Sequence, residues 1–152
     1  MKQHLLIVGV LGMFLATAFA QPTRINDPLP PEVARVRDAA IADCRQSGGR
    51  PSIKPGYIQT ADFNGDGRPD YVVDAGEMIC AGASPLECGT GGCSIEVYIS
   101  TPTGYRSANL QRLGFGATIE RGAGAPLLAV GGRRGTIRYR WNGNAFQAVQ
   151  GR

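Results

Sequence analysis

Four cysteines, Cys44, Cys80, Cys88 and Cys93, lie downstream of an N-terminal segment that reads as an export signal, and this combination constrains the fold more than any other feature. Lys2 gives the positive start, Leu5 to Ala16 is an unbroken apolar or glycine run, and Ala18-Phe19-Ala20 supplies the small-x-small cleavage pattern before Gln21. The run is shorter than the roughly 18 to 20 residues that span a bilayer, and no stop-transfer charges follow it. Residues 1–20 are therefore expected to be removed, leaving residues 21–152 as a single periplasmic or secreted domain with no later membrane span. In such a compartment an even cysteine count reads as two disulfides. Spacing alone leaves all three pairings open. The preferred one is Cys44–Cys80 with Cys88–Cys93, which would tie a helix to a strand end and close a glycine-rich loop locally. Zinc is the competing use, but Cys80-x7-Cys88-x4-Cys93 lacks a Cys-x2-Cys knuckle.

Twenty-two glycines and ten prolines argue for short strands joined by turns rather than a helical bundle. After an extended, proline-rich lead-in from Pro22 to Pro31, Glu32 to Arg45 reads as one helix. Its apolar stripe is Val33, Val36, Ala40 and Cys44, widened by Ile41, and Gly48-Gly49 is its stop. Strands are expected at Tyr57–Phe63, Tyr71–Val73, Thr118–Glu120 and Leu127–Val130. A further half-buried strand has Ile95, Val97 and Ile99 alternating with Glu96 and Tyr98. Pro102-Thr103-Gly104 marks a turn. Near the end, Ile137, Tyr139 and Trp141 precede Asn142-Gly143, a favoured two-residue hairpin turn that would set Tyr139 opposite Phe146 and Ile137 opposite Ala148. The expected fold is α+β: mainly antiparallel β-sheet with one N-terminal helix packed on it.

Asp62-Phe63-Asn64-Gly65-Asp66-Gly67-Arg68-Pro69-Asp70 is the stretch that carries chemistry. Side-chain oxygens fall at positions one, three, five and nine, and position seven offers its backbone carbonyl. Hard Ca²⁺ takes six to eight oxygens, and alternate residues of a curling chain can aim them at one centre. Gly67 at position six permits the sharp turn. Position twelve is Val73, not the bidentate glutamate of an EF-hand. The pattern instead resembles the calcium loops of FG-GAP, VCBS and integrin-alpha-like repeats, with Tyr71-Val72-Val73 as the outgoing strand. That resemblance implies side-chain coordination by Asp62, Asn64, Asp66 and Asp70, and carbonyl coordination by Arg68. The loop occurs once, so the multi-repeat propeller of that family is not expected. The chain is also similar to small exported bacterial cysteine-containing proteins in which one such loop precedes a segment ending in Gly-Gly-Cys, here Gly91-Gly92-Cys93.

Catalytic machinery is sparse. His4 is the only histidine and would leave with the signal, so no Ser-His or Cys-His pair remains. Lys54 is the only lysine after the signal, and it belongs to no phosphate loop. Glu77, Glu87, Glu96 and Glu120 are available for two-carboxylate chemistry, although their spacing singles out no pair. Charge is polarised. Seven acids between Asp62 and Glu96 face Arg68 alone, whereas eight arginines from Arg106 to Arg152 face Glu120 alone. No aromatic-interleaved basic run suggests nucleic acid, and arginines on strand faces suit solubility and edge protection. The expectation is a non-catalytic exported Ca²⁺-binding module for a protein partner or an envelope polysaccharide. The alternatives are a cell-wall glycoside hydrolase using two carboxylates, or a secreted hydrolase inhibitor with the loop Ala81 to Gly92 as its wedge.

Overall fold

Proline opens the helix. In the computed structural model, which describes residues 28–84, 87–110 and 112–149, α1 runs Pro31–Gln46. Proline at the first helical position loses no hydrogen bond, because that N–H has no partner within a helix anyway. Glu32 in the first turn and Arg45 in the last complement the helix dipole. Val33, Ala40 and Cys44 of the expected stripe are buried. The helix stops where Ser47, Gly48 and Gly49 donate back to the carbonyls of Asp43, Arg45 and Cys44 at 3.0, 3.0 and 2.9 Å. Gly49 is there for space: a Cβ would sit 2.3 Å from the Cys80 sulfur. The proposed signal, residues 1–20, lies outside the described residues.

Among the described residues twelve strands follow. The first six are β1 (Arg50–Ile53), β2 (Ile58–Ala61), β3 (Asp70–Asp74), β4 (Met78–Ala81), β5 (Cys88–Gly89) and β6 (Gly92–Thr101). The rest are β7 (Gly104–Ser107), β8 (Arg112–Gly114), β9 (Ala117–Glu120), β10 (Leu127–Gly132), β11 (Gly135–Trp141) and β12 (Phe146–Val149). All pairings are antiparallel. β1 and β4 form a small ribbon, and β12-β11-β10-β9 is a four-stranded sheet. A six-stranded sheet is organised around β3 and the long β6, onto which β5, β7 and β8 also pair.

The six-stranded sheet is the middle layer. One face packs Val72, Val97 and Ile99 against Leu128, Tyr139, Trp141 and Phe146 of the second sheet. Phe63 meets Phe146 edge-on at 5.2 Å. The other face carries Tyr57, Tyr71 and Val73 beneath Val33 of α1. The expected alternation of β6 is present, with Ile95, Val97 and Ile99 buried. Its partners Glu96 and Tyr98 are half-buried rather than free in solvent, since the helix covers much of that face. The observed architecture is α+β, a helix on a mainly antiparallel framework.

Two disulfides, Cys44–Cys80 and Cys88–Cys93, leave no free cysteine and match the preferred pairing. This removes thiolate zinc ligands. The terminal hairpin corrects the two-residue turn. Trp141 pairs with Phe146 and Tyr139 with Ala148, so Asn142 to Ala145 form a four-residue connection. Asn142 Oδ1 accepts from the amides of Asn144 and Ala145, both at 2.9 Å, and this side-chain turn displaces the tighter one. A slip of two residues preserves the alternation, so Tyr139 and Trp141 still face the core, whereas Ile137 is 48 % exposed.

Candidate functional site

The Asp-rich stretch connects β2 to β3, and its conformation follows from its glycines and its acceptor side chains. Gly65 and Gly67 adopt φ of 76° and 81°, a region costly for residues bearing a Cβ. Asp62 then takes the amides of Gly65, Asp66 and Gly67 on its carboxylate at 2.6, 3.1 and 2.8 Å. Asn64 Oδ1 accepts from the Asp66 amide at 3.0 Å, and Asp66 accepts from the Arg68 amide at 2.8 Å. Asp62, Asn64, Asp66 and Arg68 thus share one exposed or half-buried loop.

Ser100 of β6 was invisible to motif reading. Its hydroxyl donates to Asp66 at 2.6 Å, and the Asn64 amide group donates to its hydroxyl and carbonyl oxygens, both at 3.1 Å. The Ser100 hydrogen bond is the main reason that the Asp66 carboxyl is held below its ordinary range. Arg68 turns outward, where its guanidinium donates to the Thr101 carbonyl and lies 5.3 Å from the Tyr105 ring centre. Among the described residues, no Lys or Arg forms an ion pair with Asp62, Asp66 or Asp70.

Asp70 is different in kind. It is fully buried at the start of β3, accepting the amides of Phe63 and Ser100 at 2.7 Å each and that of Asn64 at 3.4 Å. Asp74 at the other end of β3 is equally buried. It accepts from Gly76 at 2.9 Å and from Ala117 of β9 at 2.7 Å, which bolts the two large sheets together. The loop's hard oxygens suit Ca²⁺ chemically. In this arrangement they are turned to amide donors, and among the described residues no three Cys, His, Asp or Glu side chains are gathered as a metal-ligand set.

Burial pushes both Asp70 and Asp74 above the ordinary carboxylate range, against the opposing pull of their amide bonds. A carboxyl raised on folding contributes stability that is complete below its unfolded value and is lost as pH rises through the folded one. The advantage of wild type over Asp74→Asn in urea midpoint is therefore expected to be larger at about pH 4 than at about pH 7. An advantage that grows toward neutrality would reverse the sign assigned to burial.

Of the four candidate glutamates, Glu77 lies 3.6 Å from Lys54 and Glu120 is paired with Arg138 at 2.8 Å. Glu87 and Glu96 instead border one 210 Å³ cavity between α1 and the middle sheet. That is smaller than the ~300–1,000 Å³ usual for ligand clefts. Among the described residues no helix is long and apolar enough to cross a membrane. No protein-family model, curated protein or solved structure matches the chain.

Proposed function

We propose that the chain is an exported, non-catalytic module whose β2–β3 loop binds Ca²⁺ and presents that loop to a protein or envelope-polysaccharide partner. The observation that carries this reading is the concentration of Asp62, Asn64 and Asp66 on one accessible loop whose carboxylates have no basic ion-pair partner among the described residues. Amide dipoles and the Ser100 hydroxyl offset that charge in part, and a divalent cation would offset it more completely. Asp62, Asn64, Asp66 and the Arg68 carbonyl are the groups that would hold the ion. Asp70 would contribute from beneath, on giving up part of its amide cradle. The two disulfides are compatible with the oxidising compartment that this role requires.

The test is calorimetric titration of the mature protein after chelator treatment. One Ca²⁺ per chain is expected, with a dissociation constant on the order of 10⁻⁴ to 10⁻³ M. Asp66→Ala should abolish the heat without unfolding the protein, since Asp66 is exposed. At a hundred times the dissociation constant, mass action should stabilise the fold by about 2.7 kcal/mol, with Mg²⁺ giving less. Equal heats from wild type and Asp66→Ala would remove the calcium reading.

A further inference from the structure

The cavity bordered by Glu87 and Glu96 has a composition that the calcium loop does not explain. Its walls include Val36 and Ala39 of α1 and Val73 of β3, all aliphatic. Tyr57 also lines it and is only 1 % exposed. A smaller pocket of 20 Å³ shares Tyr57 and Glu87 and adds Asp43 from the last turns of the helix. Glu87 and Glu96 make no ion pair among the described residues; Glu96 accepts only the Tyr98 hydroxyl, at 2.8 Å. Arg37, which acts electrostatically on Tyr57, is paired with Asp38 at 2.8 Å. Burial first, and then Glu87 and Glu96, push the Tyr57 hydroxyl up to about 12, so it remains a neutral dipole at physiological pH.

We infer that this cleft is a binding site for a primary alkylammonium group, with the aliphatic walls taking the chain and Glu87, Glu96 and the Tyr57 oxygen taking the charged head. An ammonium has three donors and no acceptor, and the cleft offers acceptors of matching number. An aliphatic stem with a cationic tip suits a cavity lined by aliphatic side chains and two glutamates. Two sources share this chemistry, a free aliphatic diamine and a lysine side chain.

Amide chemical-shift titration of the mature protein separates the sources and tests the site. The probes are n-butylammonium, 1,5-diaminopentane and Nα-acetyl-lysine N-methylamide, with n-butanol and butyrate as uncharged and anionic controls. Saturable shifts are expected at Val36, Ala39, Val73 and Ser94 for the ammonium probes only. Glu87→Gln/Glu96→Gln should weaken binding about tenfold or more, the usual loss for a charged hydrogen-bond pair. Tyr57→Phe, which keeps the ring in place, should weaken it less. Asp66→Ala should bind amine as wild type does, which keeps this site separate from the calcium loop. Binding of the lysine amide as well as the diamine assigns the cleft to protein side chains, and binding of the diamine alone assigns it to a free amine. No saturable shift with any ammonium probe, or unchanged affinity in a folded Glu87→Gln/Glu96→Gln protein, overturns the inference.

Discussion

Asp70→Ala is expected to cost the calcium-free protein about 3–5 kcal/mol, lowering its melting temperature by roughly 10 to 20 °C for a domain of this size. The carboxylate has no exposure and receives three backbone amides, those of Phe63, Asn64 and Ser100. Removing it strands buried donors in an apolar layer, and each hydrogen bond to a charged group contributes about 1.5–3 kcal/mol. Relief of the carboxylate's own burial offsets part of that loss, which keeps the figure below the simple sum. Asp70→Asn retains one acceptor oxygen but aims an NH₂ at an amide, so an intermediate loss is expected. Asp66→Ala, on the exposed rim, should change calcium-free stability far less than Asp70→Ala does. Urea unfolding of the three variants in chelator checks the order. If Asp70→Ala and Asp66→Ala unfold at the same midpoint, Asp70 is not the buried clamp of this hairpin.

That contrast within one motif marks what a linear reading recovers. Alternation identified the middle strand of the sheet, and three-four spacing identified the helix, because both signals are local and repeat over several residues. The cysteine pairing was legible only as a preference, since spacing leaves all three pairings open. The burial of Asp70 and Asp74 was not read from the motif, which singles out Asp70 as a candidate ligand and leaves Asp74 aside. Strand parity held the missing information. Asp70, Val72 and Asp74 alternate along β3, and Val72 faces the second sheet with no exposure, so both carboxylates turn inward beside it. Ser100 lies 30 residues beyond Asp70 and enters the loop only through the β3–β6 pairing, which no local pattern encodes. The ribbon of β1 and β4 also escaped notice. Its four-residue strands include Pro51 and half-exposed positions, too short and irregular for a period of two to register. The slip of the last hairpin has a similar origin, because Asn142 satisfies either a two-residue or a four-residue connection until its side chain chooses.

Removing the Cys44–Cys80 bridge should destabilise the protein by about 4 kcal/mol, against about 2 kcal/mol for the Cys88–Cys93 bridge. In the chain-entropy account the gain from a crosslink grows with the logarithm of the loop it closes, and the two sequence separations are 36 and 5. Packing adds to the difference. Cys44 and Cys80 are both buried, at 4 % and 7 % exposure, and they occupy the space that Gly49 leaves by having no side chain. The long bridge is also the covalent tie between α1 and the β1–β4 ribbon, whose Ile53 and Met78 pack against the cluster that holds Val33 of the helix. Cys88 and Cys93 are direct cross-strand partners in a short hairpin that the β5–β6 pairing already holds. Double alanine variants, Cys44→Ala/Cys80→Ala and Cys88→Ala/Cys93→Ala, measured by urea unfolding under non-reducing conditions, give the two costs. The long-bridge variant should also show a larger denaturant slope, since its unfolded chain is free to expand over the whole segment from the helix to β4. The two bridges act at different places, so one further distinction follows. Loss of Cys44–Cys80 should loosen the wall of the alkylammonium cleft formed by α1, while loss of Cys88–Cys93 should leave that wall in place. An equal or greater cost for the short bridge would mean that β5 and β6 do not pair without their disulfide.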